Sequence, residues 1–141
     1  DLGGVQTYCY GETARPVKER YTKEECIARF AQSLQEHWDG IEPFIPEDAP
    51  ESVKAAMLSV AYNVGVSGWK YELGEDGKRR PSRFRVALAQ GDWNRACAAI
   101  TAPWKGKHGV AQGYKATVRG APVRGLENRR RAEEALCRAD L

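Results

Sequence analysis

Apolar positions along this chain fall mostly at helical spacing. Between residues 22 and 39, Ile27, Phe30, Ala31, Leu34 and Trp38 line one face of a predicted helix. Thr22 and Glu25, three apart at its start, form a capping box in which each side chain takes the other's free backbone N–H. Gly40 and Pro43 are its expected stop. A second helix is predicted over 51–63. Val53, Ala56, Met57, Val60 and Ala61, with Val64 just beyond, cover much of its circumference, as a central buried helix requires. Gly65 is the expected left-handed C-cap. Residues 66–81 end in the charged run GEDGKRRP and are expected to be an exposed loop. Ser82 caps a short helix through Leu88, stopped at Gly91. Asp92 caps another, with Trp93, Ala96, Cys97 and Ile100 on one face and Pro103 beyond it. From 104 to 124 the chain is rich in Gly and Lys without periodicity. The last helix is predicted over 126–138, with Leu126, Ala132 and Leu136 facing inward. Residues 1–13, DLGGVQTYCYGET, have the alternation and glycines of a β-hairpin, with Gly3-Gly4 suited to a tight turn. Helices with one small sheet at the start make an α+β fold.

Composition narrows the function classes. The 141 residues are 42% hydrophobic and 29% charged, as in a globular protein, and their number suits one domain. The longest apolar stretches, around Val60–Val66 and Ala96–Ile100, fall far short of the roughly 20 residues that span a bilayer, so no stable membrane insertion is expected. Net charge is +3, from 22 Lys+Arg against 19 Asp+Glu, too mild for a dedicated nucleic-acid binder. The cations gather late, at Lys105, Lys107, Lys115, Arg119, Arg124 and 129–131. That run reads as a solvated face or as attraction to an anionic polymer. Four cysteines, Cys9, Cys26, Cys97 and Cys137, permit two disulfides in three pairings, or four buried thiols. They form no CxxC pair and lie far in sequence from His37 and His108, so no metal site is expected.

Three motifs carry chemistry. The first is Asp1, five residues, Thr7 and then Tyr8-Cys9-Tyr10-Gly11-Glu12-Thr13. The second is Ala61-Tyr62-Asn63-Val64-Gly65. The third is Gly125-Leu126-Glu127-Asn128-Arg129-Arg130-Arg131-Ala132-Glu133. In this order they resemble phage-type lysozymes, the endolysins of glycoside hydrolase family 24. That family shows a Glu, eight residues, an Asp or Cys, five residues and a Thr; then an aromatic-Asn-x-Gly segment; then Gly-Leu, two residues, Arg-Arg, two residues, Glu. The resemblance covers essentially the whole chain outside 69–81 and 105–124. It implies a lysozyme-like fold over 1–141, with a hairpin lobe at 1–21, connecting and central helices at 22–64 and a helical lobe at 65–141.

The implied activity is hydrolysis of the β-1,4 bond between N-acetylmuramic acid and N-acetylglucosamine in bacterial peptidoglycan. Glycoside cleavage needs a protonated carboxyl for the leaving oxygen and an ionised carboxylate or water at the anomeric carbon. The resemblance casts Asp1 as the ionised partner in a single inverting displacement and Thr7 as holder of the water. The general-acid Glu would precede Asp1, which places it outside this chain. Glu12 stands where many relatives have His and is expected to order the cleft through a salt bridge or hydrogen bond, with Arg130 as its candidate partner. Tyr62 and Asn63 would meet the glycan through an N-acetyl group, with a helix C-cap as the alternative for Asn63. Ser82 is a cleft residue or an N-cap. Trp104 would stack on a sugar face. Of Arg129 and Arg130, one guanidinium would bond across the lobe junction while the other is exposed. The family layout suggests the disulfides Cys9–Cys26 and Cys97–Cys137. No cofactor is implied, the partner is peptidoglycan, and a monomer is expected in the periplasm of an infected Gram-negative host. A catalytically silent peptidoglycan-binding module is the main rival; a small basic nucleic-acid binder is the weaker one.

Overall fold

The computed structural model describes residues 21–141. The expected hairpin at 1–13, with Cys9, lies outside them. Helix α1 runs Lys23–Ile41 and opens with the expected box: Glu25 N–H donates to Thr22 Oγ1 (3.1 Å), and Thr22 N–H to Glu25 Oε1 (2.9 Å). Gly40 does not stop it. The helix passes through Gly40 into a 3-10 turn, Glu42–Phe44, and a Cβ at Gly40 would stand 2.6 Å from Val66 Cγ1. The glycine therefore marks a close approach between segments. The inward face also differs from expectation. Cys26 and Ile41 are buried, whereas Ile27 and Phe30 are 52% and 38% exposed. Periodicity locates an apolar stripe but not what covers it; here the ring of Phe30 meets Tyr62 edge-on at 5.6 Å.

Helix α2, Glu51–Val64, is the expected central element, burying Val53, Ala56, Met57, Val60 and Ala61. Gly65 has φ +85° but ψ 157°, so it is not a left-handed cap. It ends α2 through its N–H to the Ala61 carbonyl (2.7 Å), and its own carbonyl accepts from Trp69 as α3, Val66–Lys70, begins. Residues 66–81 are thus not an exposed loop. After α3, the strands β1 (Tyr71–Leu73) and β2 (Arg79–Pro81) form a hairpin, with Tyr71 opposite Pro81. Strands of three residues are too short to register as a period. Trp69 is nevertheless fully buried, and its indole N–H points at Met57 Sδ, 3.4 Å away.

Helices α4 (Arg83–Ala89) and α5 (Trp93–Thr101) start at the expected caps. Arg85 N–H donates to Ser82 Oγ (3.3 Å) and Arg95 N–H to Asp92 Oδ1 (3.0 Å). The aperiodic stretch then resolves into two small hairpins. Strand β3 (Pro103–Gly106) pairs with β4 (Gly109–Gln112), and β5 (Thr117–Val118) with β6 (Ala121–Pro122). Helix α6 is Arg124–Cys137. Its buried face is Arg130, Glu133 and Cys137, while Ala132 is exposed and Leu136 is 42% exposed. The expected face is thus rotated by one residue, because a charged pair satisfied by polar neighbours goes in where hydrophobicity alone would place leucine.

Cys97 and Cys137 are bonded as expected, joining α5 to α6 with Cα atoms 5.6 Å apart. Cys26 is disulfide-bonded too. Trp69, Phe84, Leu88, Ile100 and Tyr114 complete the core around α2.

Candidate functional site

Two places on this frame gather polar side chains. The first is the junction of α2 and α6. Arg130 lies fully inside the protein. Its Nε donates to the Tyr114 carbonyl (2.8 Å), Nη1 to Glu133 Oε1 and Nη2 to Asn63 Oδ1. Glu133 accepts further from Ser59 Oγ (2.6 Å) and Arg129 Nε (3.4 Å). A buried charge needs such pairing, since an isolated one would cost several kcal/mol. Gly113 makes room for it. It has φ +151°, and a Cβ there would stand 2.7 Å from Arg130 Cγ.

This network fixes the orientation of Asn63. A guanidinium only donates, so it takes the amide oxygen, and the NH2 group is left for another acceptor. Asn63 is exposed. Its side chain serves no C-cap, since the cap of α2 is Gly65. Tyr62 beside it is half-buried, with its ring 5.0 Å from that of His37. Arg130 bonds to Asn63 on α2, while the Arg129 side chain is 44% exposed and its Nε donates to Glu133.

The second place is a cleft of about 750 Å³ between the β1–β2 hairpin and β3, lined by Tyr71, Glu72, Arg80, Arg83, Trp104 and Lys115 among others. Glu72 alternates inward between Tyr71 and Leu73 and is nearly buried. Arg83 grips it from both sides, with Nη2 to Oε1 (3.1 Å) and Nε to Oε2 (3.2 Å), and the Arg83 N–H adds a third bond (2.7 Å). Burial alone would raise the Glu72 pKa. The hydrogen bonds and charge of Arg83, with Arg80 behind, outweigh it and hold the carboxyl below its ordinary value. Glu72 is thus an ionised anchor and unsuited to supplying a proton.

Tyr114 lies fully buried behind the cleft lining. Its hydroxyl donates to the Gly68 carbonyl (2.7 Å) and its ring meets Trp104 edge-on at 5.1 Å. Burial and then the charge of Glu72 push its pKa up. Lys115 adopts φ +48° and sends Nζ to the carbonyls of Gly68 (3.0 Å) and Tyr71 (3.2 Å). Burial lowers its pKa, partly offset by Glu72. Because the Tyr114 carbonyl accepts from Arg130, one residue ties the cleft to the Asn63 junction.

Of the residues singled out in the sequence, the structure joins Asn63 to Arg130, packs the Tyr62 ring against Phe30 and His37 of α1 and places Trp104 in the lining of this cleft. Ser82 is fully buried and acts as the N-cap of α4. Asp1, Thr7 and Glu12 lie outside the described residues. Sequence reasoning missed Glu72, Arg83, Tyr114 and Lys115. The one available signal was an acid between Tyr71 and Leu73 in an alternating triplet. Among the described residues no group of three His, Cys, Asp or Glu is placed to hold a metal ion.

Comparison with known proteins settles the family. The phage lysozyme family model matches residues 1–133. The chain belongs to the phage lysozyme family. Among curated relatives it is 34% identical over 99 residues to the SAR-endolysin of Enterobacteria phage P21, which covers 69% of this chain and 54% of that protein. The SAR-endolysin of Bacteriophage PS119 is also 34% identical over 99 residues, covering 69% and 53%. The chain therefore spans about half the length of the curated relatives it matches. In fold it is similar to the active form of P1 phage endolysin Lyz, with TM-score 0.73, 22% identity, and coverage of 87% of this chain and 65% of that one. The secreted inactive form of the same endolysin gives TM-score 0.64 at 22% identity, over 87% and 72%. The α+β, lysozyme-like fold read from the sequence is thus the fold of this phage lysozyme family member.

Proposed function

We propose that this family member acts as a peptidoglycan muramidase, cleaving the β-1,4 bond between N-acetylmuramic acid and N-acetylglucosamine during phage-induced lysis in the periplasm. The observation that carries the reading is the family match over 1–133, a span that takes in Asp1, Thr7, Asn63 and Arg130. Asp1 is the ionised carboxylate that steadies charge on the sugar ring or activates water, and Thr7 positions that water. The protonating Glu belongs N-terminal to Asp1. Asn63, held by Arg130, turns its amide N–H groups toward an acetamido carbonyl, and Trp104 offers a ring face to a sugar. Glu12 orders the hairpin side of the site. The curated relatives named as SAR-endolysins, and a structural neighbour described as secreted, support the periplasmic setting. No step calls for a cofactor, and the active unit is a monomer.

The test is digestion of purified sacculi, with borohydride-reduced products read by mass spectrometry. Fragments ending in reduced N-acetylmuramic acid support the reading, and Asp1→Asn should abolish them. Binding to sacculi without fragments, even when the preceding segment of a relative is supplied, would replace it with a silent wall-binding module. Reduced N-acetylglucosamine ends would make the enzyme a glucosaminidase.

A further inference from the structure

Between Asp92 and Glu127 the chain carries no acidic residue, yet it holds Arg95, Lys105, Lys107, Lys115, Arg119 and Arg124. The structure concentrates three of these at the joined tips of the two small hairpins. Lys107 and His108 form the two-residue turn of β3–β4, since Gly106 pairs with Gly109. Arg119 and Gly120 form that of β5–β6, since Val118 pairs with Ala121. The tips abut. His108 N–H donates to the Gly120 carbonyl (2.7 Å), and a Cβ on Gly120 would stand 2.8 Å from that of Lys107. Lys105, Lys107 and Arg119 form no ion pair among the described residues. Beside them, Val110 and Val118 are 52% and 53% exposed, with Val110 directly opposite Lys105.

The turn chemistry is unusual. Arg119 and Gly120 both have positive φ, +52° and +81°, the combination of a type I′ turn, which favours Asn-Gly. An arginine in that region is strained, and strain retained at an exposed tip points to use. Neighbouring like charges also repel one another. The mixture of unpaired cations and exposed valines on one hairpin edge matches an acidic phospholipid surface, where cations meet headgroup phosphates and small apolar groups enter the interface. A soluble polyanion would use the cations and leave the valines idle.

We infer that the joined hairpin tips, with Lys105, Lys107 and Arg119 flanked by Val110 and Val118, dock the enzyme peripherally on an acidic bilayer. This does not depend on the glycan-cleaving reading. No described helix is long and apolar enough to cross a membrane, so the contact is a surface one.

Co-sedimentation of the full chain with vesicles of phosphatidylglycerol and phosphatidylethanolamine, against phosphatidylcholine alone, tests it. Binding should require the acidic lipid. Arg119→Asn should weaken partition about fivefold while raising the unfolding midpoint, because Asn accepts the left-handed conformation. A merely structural arginine would give the second change without the first. Val110→Ser with Val118→Ser should cost about tenfold. Equal binding to both vesicles, no binding to either, or binding that polyglutamate abolishes and the serine variants leave intact would each overturn the inference.

Discussion

Arg130 and Arg83 each pair with a nearly buried glutamate, in opposite surroundings. Arg130 has no exposed surface, and its three bonding nitrogens all go to protein acceptors. The Arg83 side chain is 27% exposed; it grips Glu72 and turns the rest of its guanidinium to the cleft, with its centre 5.3 Å from both the Trp104 and Tyr114 rings. The first pair locks two helices and orients Asn63. The second sets the charge of a cavity wall. The same two residue types therefore do a packing task in one place and an electrostatic task in the other, and what decides is how many acceptors surround each arginine.

Removing the arginine separates the two most strongly at the first pair. Arg130→Ala takes from the nearly buried Glu133 its buried cationic partner, leaving it Ser59 and Arg129, and takes from Asn63 its guanidinium donor; unfolding stability should fall by about 3–5 kcal/mol. Urea denaturation with the disulfides intact measures it. A loss below about 1 kcal/mol would mean that water takes over the junction.

At the cleft, Glu72→Gln should cost less, about 1–3 kcal/mol at neutral pH, as the charge-assisted bonds weaken. It should also change the pH dependence. The folded-state pKa of Glu72 lies below its unfolded value. Its contribution is therefore complete above the ordinary carboxylate range and is lost as pH falls through the folded pKa. Unfolding midpoints from pH 7 down to 3 should drop less steeply in the variant. Parallel curves would remove Glu72 from the electrostatic account.

A neutral contact and an open one complete the series. Ser82→Ala takes away the α4 cap and should cost about 1 kcal/mol. Arg138→Gln breaks a surface pair with Glu134, 2.8 Å apart, and should cost about 0.5 kcal/mol or less, vanishing in high salt. If the surface pair proved as costly as the buried one, the ranking by burial would fail.

The α2 core, the caps at Thr22, Ser82 and Asp92, and the Cys97–Cys137 link were legible because each rests on local spacing or on a resemblance spanning the chain. The register of α6 was not. Leu126, Ala132 and Leu136 outrank Arg130 and Glu133 in hydrophobicity, and only the tertiary partners, acceptors on Tyr114 and Asn63 for Arg130 and the Ser59 hydroxyl donor for Glu133, make the charged face the buried one. The cleft was also invisible, since its walls are strands of three or four residues whose pairing is set by turns at Gly77 and around Lys107. Asn63 and Arg130 were each singled out in the sequence, but their contact spans 67 residues and had no signature in either motif.

The account holds that Arg130 orients Asn63 to receive the glycan. The most direct measurement is the side-chain amide resonance of Asn63 in labelled protein, followed as a peptidoglycan-derived tetrasaccharide is added. The Asn63 NH2 signals should shift with saturation in the native chain and respond much less in Arg130→Lys, which keeps the charge but loses the planar fork. Saturable binding that moves other resonances and leaves the Asn63 amide in place would contradict it.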